Sequence, residues 1–148
     1  MKSNRYFQLF VPLASCFALS GCEATAAGIP YLDDQNISAG QVVYNNACAS
    51  CHGAALEGQP NWQKRSSMGY LPAPPHDETG HTWHHPDQML FEFTKYGPQK
   101  FAGADYKSAM PAYEGKLTDQ EIWNVLAFIK SQWPAEIQEK HTKAFSTK

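Results

Sequence analysis

The run Cys48-Ala49-Ser50-Cys51-His52 sets two thiols with two residues between them and an imidazole directly after the second. This spacing suits addition of both thiols to the vinyl groups of a haem while the histidine binds the iron as an axial ligand, so the three side chains act as one unit. Two other chemistries use a cysteine pair at this distance. A redox dithiol needs a thioredoxin-like strand and helix around it, and half of a zinc site needs a second pair of soft ligands. Neither context occurs in the chain.

A second group of chemistry-bearing residues lies downstream, where His76, His81, His84 and His85 crowd together with Asp77 and Glu78. Imidazoles with carboxylates suit copper or zinc, which makes a second metal site one reading. The stronger reading is that these residues serve haem propionates, cap the following helix or lie solvated, because the paired spacing of a tetrahedral site is absent. Trp62, Tyr70 and Trp83 are aromatic candidates for lining a haem, with ordinary core packing as the alternative.

The elements that must position these groups read as helices and loops. Ser38 with Gln41 fits a capping box, and Val42, Val43, Tyr44 and Ala47 carry apolar character at helical spacing up to Cys48. From Gly53 to Glu78 the chain is rich in turn formers, including Gly58, Pro60, Gly69, Pro72, Pro74 and Pro75. So long a loop suits a compact domain when a bulky group such as a haem fills the space it encloses. A second helix runs from Pro86 through Met89, Leu90 and Phe93 to a glycine stop at Gly97. The last main helix opens on a capping box of Thr118 and Glu121, presents Ile122, Val125, Leu126 and Ile129 on one stripe, and closes at Pro134. Residues 135–148 are polar and read as a loosely ordered tail or a marginal helix.

The 148 residues, 43% of them hydrophobic, suffice for one domain. At the start, Lys2 and Arg5 precede a largely apolar stretch from Tyr6 to Leu19, broken by Pro12 and too short for a bilayer span of about 20 residues. This is an export signal. Leu19-Ser20-Gly21-Cys22 resembles the lipobox of bacterial lipoproteins, which implies cleavage before Cys22 and lipid on its sulfur and amino group; ordinary secretion is the alternative. The division is then residues 1–21 as signal, 22–36 as tether, 37–134 as the domain and 135–148 as the tail. Cys16 leaves with the signal, so Cys48 and Cys51 remain for the haem and none for a structural bridge. Without Lys2 and Arg5, 10 basic and 14 acidic residues give a net charge of −4, and no basic cluster appears, which argues against nucleic acid as a partner.

Gly40 through Tyr44 to Cys48-Ala49-Ser50-Cys51-His52-Gly53, then Ser108-Ala109-Met110-Pro111, then Trp123 to Ile129, together resemble a class I cytochrome c over residues 37–133. The resemblance implies an all-α fold with three main helices and long loops around one covalent haem c. It implies that the first and last helices cross with Gly40 and Tyr44 against Val125 and Phe128. It also implies Met110 as the second axial ligand beside His52, with Met68 and Met89 as rivals; Met89 falls on a helix stripe and is better read as core. A carbonyl from a proline-containing loop should accept a hydrogen bond from His52, with Pro60 as one match and Leu71 to Pro75 as a competitor.

With two strong-field ligands on one iron, outer-sphere electron transfer is the natural task. The expected partners are membrane-bound or periplasmic redox proteins, met at the periplasmic side of a bacterial membrane. Glu23 after the lipidated cysteine gives the outer membrane a mild preference. Two other roles stay open: a haem enzyme or gas or peroxide sensor in which Met110 dissociates, and a cytochrome subunit of a larger oxidase.

Overall fold

The computed structural model describes residues 28–103 and 105–145. The stretch read as an export signal, Cys16 and the expected lipidation site Cys22 lie outside them. The described residues hold six α-helices: α1 (Asp34–Ala47), α2 (Ala49–His52), α3 (Asp87–Tyr96), α4 (Gln99–Ala102), α5 (Asp119–Ser131) and α6 (Ala135–Phe145), with a 3₁₀ turn at Thr82–His84 and no strand among them. The fold is all-α, and the three helices expected from the sequence are α1, α3 and α5.

Helix α5 is the axis of the core because its apolar residues cover more than half of its circumference. Ile122, Leu126 and Ala127 pack with Ile29, Leu90 and Phe91, whereas Val125, Phe128 and Ile129 pack with Tyr44, Leu56 and Trp133. Its start is held as expected: the Thr118 hydroxyl accepts from the Glu121 amide, and the Glu121 carboxylate accepts from the Thr118 amide. Two backbone amide donors at the start of the helix are thereby satisfied.

Helix α1 crosses α5 where neither could approach with a larger residue. A Cβ placed on Gly40 would run into the Asn124 carbonyl and stand 3.0 Å from the Phe128 Cβ. One turn further on, the fully buried Tyr44 ring lies 5.3 Å from that of Phe128. The Gly40 and Tyr44 contact with α5 thus follows the expected pattern. The start of α1 does not. The helix begins at Asp34, capped by Asp33, whose carboxylate accepts from the Asn36 amide, and Ser38 lies one turn inside. An acidic residue at a β-region backbone position caps well without a partner three residues on, so the Ser38 and Gln41 pattern is incidental. The buried positions of α1 are Gly40 and Tyr44, and Val42 is 60% exposed.

Both ends of the described chain are packed more firmly than their composition suggests. Residues 28–36, read from sequence as the end of a tether, include a buried Ile29 whose amide donates to Asp87 Oδ2 at 2.9 Å. The polar C-terminal tail is the helix α6, docked by an entirely buried His141 whose Nε2 donates to the His85 carbonyl at 2.9 Å. The anchor is a polar residue, so no apolar stripe announced it. Lys130 of α5 is also buried, with its ammonium 4.3 Å from the centre of the Tyr31 ring. In the middle of the chain, Met89 is 39% exposed at the surface of α3, not in the core. The apolar contacts of α3 come instead from Leu90 and Phe91.

Candidate functional site

Helix α1 ends at Ala47, and one further helical turn, α2, carries Cys51 and His52. The His52 amide donates to the Cys48 carbonyl at 2.9 Å, so the motif is a rigid turn with a fixed relation among its three side chains. The next residue, Gly53, has φ +84°, a left-handed conformation that turns the chain sharply away. The Tyr44 hydroxyl donates to the Gly53 carbonyl at 2.9 Å, tying that turn back to α1.

Both thiols are free. Cys51 is exposed, while burial, followed by the neighbouring Cys51, pushes the Cys48 thiol up to about 11. An activated redox cysteine requires the opposite shift, so the environment does not favour dithiol exchange.

His52 is buried, and its Nδ1 lies 2.9 Å from the Pro74 carbonyl oxygen. A carbonyl only accepts, so Nδ1 carries the proton and the Nε2 lone pair is left for a metal. Burial lowers the pKa of the imidazole, with the Pro74 bond opposing, which keeps the ring neutral as coordination demands. The carbonyl comes from the Leu71 to Pro75 segment, not from Pro60. That segment is held against the chain after the motif: the Gln59 amide donates to the Ala73 carbonyl, and a Cβ on Gly58 would meet the backbone at Pro74 and Pro75. The buried Leu56, with a left-handed φ of +67°, aims its carbonyl at the His76 amide 2.7 Å away.

The Met110 loop reaches the same end of α1 through Tyr113. The Tyr113 hydroxyl donates to the Ala47 carbonyl at 2.6 Å, next to Cys48 in the chain, and both thiols contribute to raising its pKa after burial. The Tyr113 and Glu114 amides donate to the Lys95 carbonyl at the end of α3. Met110 is half-buried and its amide donates to the Ser108 hydroxyl. Its rival Met68 is 69% exposed. Two free thiols on a rigid turn, an imidazole pinned through Nδ1 and a methionine loop anchored beside them form a donor set that fits a covalent haem.

The clustered histidines take up separate packing partners, although the His81 and His85 rings still meet edge-on with centres 5.4 Å apart. His76 stacks on His52, His81 stacks on Trp62, His84 packs on Trp83 and the His85 carbonyl takes the bond from His141. Among the described residues, no three or more His, Cys, Asp or Glu side chains are grouped to hold a metal ion. Of the three aromatic candidates, Tyr70 is 38% exposed, while Trp62 and Trp83 are half-buried against these histidines. Sequence reasoning missed Tyr113 and the contact of His76 with His52. The position of Tyr113 just beyond Met110-Pro111 is the one signal in the chain for its role.

A family model described as Cytochrome c matches residues 37–133 of the chain. Comparison with curated proteins and with solved structures found no match.

Proposed function

The chain belongs to the cytochrome c family, whose cofactor is a covalently attached haem c with its iron, and from that premise we propose an exported electron carrier with Cys48 and Cys51 as attachment points and His52 and Met110 as axial ligands. The observation that carries the reading is the tautomer of His52. Its Nδ1 donates to Pro74, so the side chain offers a neutral, oriented Nε2 at the foot of the cysteine pair.

Each residue has a separate task. The thiols fix the group in register with α1, and Pro74 raises the basicity of His52 and holds its direction. Tyr113 seats the loop that brings Met110, and Pro111 limits the freedom of that loop. The haem supplies one-electron chemistry at its iron, and the surrounding protein sets its potential through ligation, hydrogen bonding and exclusion of water. A thioether ligand favours the ferrous state relative to a second histidine, so a high potential is the expected result.

Lipid on Cys22 would hold the carrier at the periplasmic face of a bacterial membrane. Because Ile29 is already packed against Asp87, the link from Cys22 to the folded domain has a reach of roughly 25 Å at full extension. The domain would stay close to the bilayer, which favours membrane-bound redox partners through effective concentration.

The test is an optical spectrum of the haem-loaded protein, oxidised and reduced, with and without carbon monoxide. The carrier reading expects a low-spin c-type spectrum, a charge-transfer band of methionine to ferric iron lost in Met110→Ala, and no effect of carbon monoxide. Prompt carbon monoxide binding by the unaltered protein would instead identify the enzyme or sensor in which Met110 leaves the iron. Co-extraction in mild detergent as one stable complex would identify the oxidase subunit.

A further inference from the structure

The imidazole of His76 lies on that of His52, with ring centres 4.0 Å apart and planes 24° from parallel. Nothing in the cysteine and histidine motif requires a second imidazole there, and the way it is fastened exceeds what filling space would need. The His76 amide donates to the Leu56 carbonyl at 2.7 Å, and its own carbonyl accepts from the Trp133 indole at 2.7 Å. Its ring Nδ1 is 2.8 Å from the Thr82 hydroxyl. The ring of Tyr44 meets it edge-on with centres 6.3 Å apart. Four separate parts of the chain thus hold one residue: the turn after the motif and the segment following α5 through its backbone, the 3₁₀ turn and α1 through its ring.

The Pro74 carbonyl fixes only the direction of the His52 Nδ1 bond. Hydrogen bonds to carbonyls tolerate a broad range of out-of-plane angles, so the ring could still rock about that line. A flat, immobile neighbour against its face removes this remaining freedom. We propose that His76 is a positioning residue that sets the plane of the axial His52 ring, with Thr82 and Trp133 holding His76 in place. The proposal rests on His52 being the iron ligand. The ring plane of an axial imidazole determines which of the iron's π-symmetry orbitals it meets, so the pattern of haem-methyl resonances in the ferric protein reports it directly.

The experiment is proton NMR of the exported, haem-loaded full chain in the ferric state, comparing the unaltered protein with His76→Ala, His76→Leu, His76→Phe and Thr82→Val. The unaltered protein comes first: absence of strongly shifted protons from a coordinated histidine would overturn the ligand assignment of His52, whatever the variants do. With that signature present, His76→Ala and His76→Leu should change the order or spread of the haem-methyl shifts, and His76→Phe, which restores a flat ring, should bring the pattern back towards the original. Unchanged shifts in the alanine and leucine variants would overturn the positioning role, as would a phenylalanine variant as altered as alanine. If the alanine and leucine variants fail to accumulate with haem, Thr82→Val decides: it leaves the ring but releases it, so shifted or broadened methyl resonances support the role and an unchanged pattern overturns it.

Discussion

The α1 and α5 crossing and the loop from Gly53 to Pro75 lie on either side of the same motif and hold it by different means. The crossing is a packing problem, solved by a glycine that admits a backbone and by the aromatic pair Tyr44 and Phe128. The loop has few apolar contacts of its own, and it works through directed carbonyls: Leu56 towards His76, Ala73 towards Gln59 and Pro74 towards His52. Packing therefore sets where the motif is, and hydrogen bonding sets how its histidine points. Damage to the first should cost mainly stability, whereas damage to the second should leave a stable protein with altered haem properties.

The largest effect is expected at the crossing. Gly40→Ala puts a methyl group where the Asn124 carbonyl and the Phe128 side chain already are, and both belong to the central helix, so the helices must separate. Overpacking of this kind costs about 3 kcal/mol. Urea denaturation should show it as a lower midpoint, and recovery of haem-loaded protein should fall with it. A variant of unchanged midpoint would mean that the close approach of α1 and α5 is not what secures the motif.

The next effect belongs to the hydrogen-bonded side. Tyr113→Phe keeps the ring but removes the donor to Ala47, at a cost of about 1 kcal/mol. Its spectroscopic consequence should be larger than its effect on stability. The Met110 loop loses its seat beside the cysteines, so carbon monoxide should bind the reduced variant faster than the unaltered protein. Equal rates would separate Tyr113 from the methionine loop and leave it as packing.

These expectations divide much as the readability of the chain divides. Cys48, Cys51 and His52 are legible because their chemistry is local, and α5 is legible because a capping box and an apolar stripe are local as well. The Gly40 and Tyr44 crossing came from a resemblance, since neither residue alone names its partner. His76, Leu56 and Tyr113 were not legible in these roles, because each acts through a contact with a distant segment and lies in a stretch without periodicity. For the same reason the sequence offered Pro60 and the Leu71 to Pro75 segment as rivals without deciding between them; the choice depends on how Gly58 lets the proline segment approach. Residues 135–148 read as no more than a loosely ordered tail or a marginal helix because His141, not an apolar residue, is what α6 buries.

Helix α6 is held by a buried polar anchor where the α1 and α5 crossing is held by apolar packing. His141 Nδ1 and Asp87 Oδ1 are 3.5 Å apart, both buried and without hydrogen-bond partners among the described residues. Lys130 lies near from α5, and His85 offers its carbonyl to the other ring nitrogen. Burial, then Lys130, lowers the His141 pKa against the opposing pull of the His85 bond and Asp87. A base held below its unfolded value binds fewer protons when folded, so its contribution is present above about pH 6.5 and is lost as pH falls from there through the folded value. The melting temperature should therefore decline on the acid side. His141→Gln, which can still donate to His85 but does not titrate, should make that decline shallower. A variant with the same acid limb would assign the loss to other groups.

The smallest test separates the actual start of α1 from the apparent one. Asp33→Ala removes the carboxylate that accepts from Asn36, and loss of such a cap costs about 1 kcal/mol or somewhat less at an exposed helix end. Ser38 is exposed and lies within the helix, where alanine has the better intrinsic propensity, so Ser38→Ala should change stability by no more than about 0.5 kcal/mol, with stabilisation the favoured sign. The contrast has a functional side. If Asp33 is the cap, α1 is anchored immediately after the segment that Ile29 fastens to Asp87, and any pull from the N-terminal side is taken up by that joint before it reaches Gly40. The reverse ranking in chemical denaturation, with Ser38→Ala the more damaging, would move the start of the helix inward and leave residues 34–37 outside it.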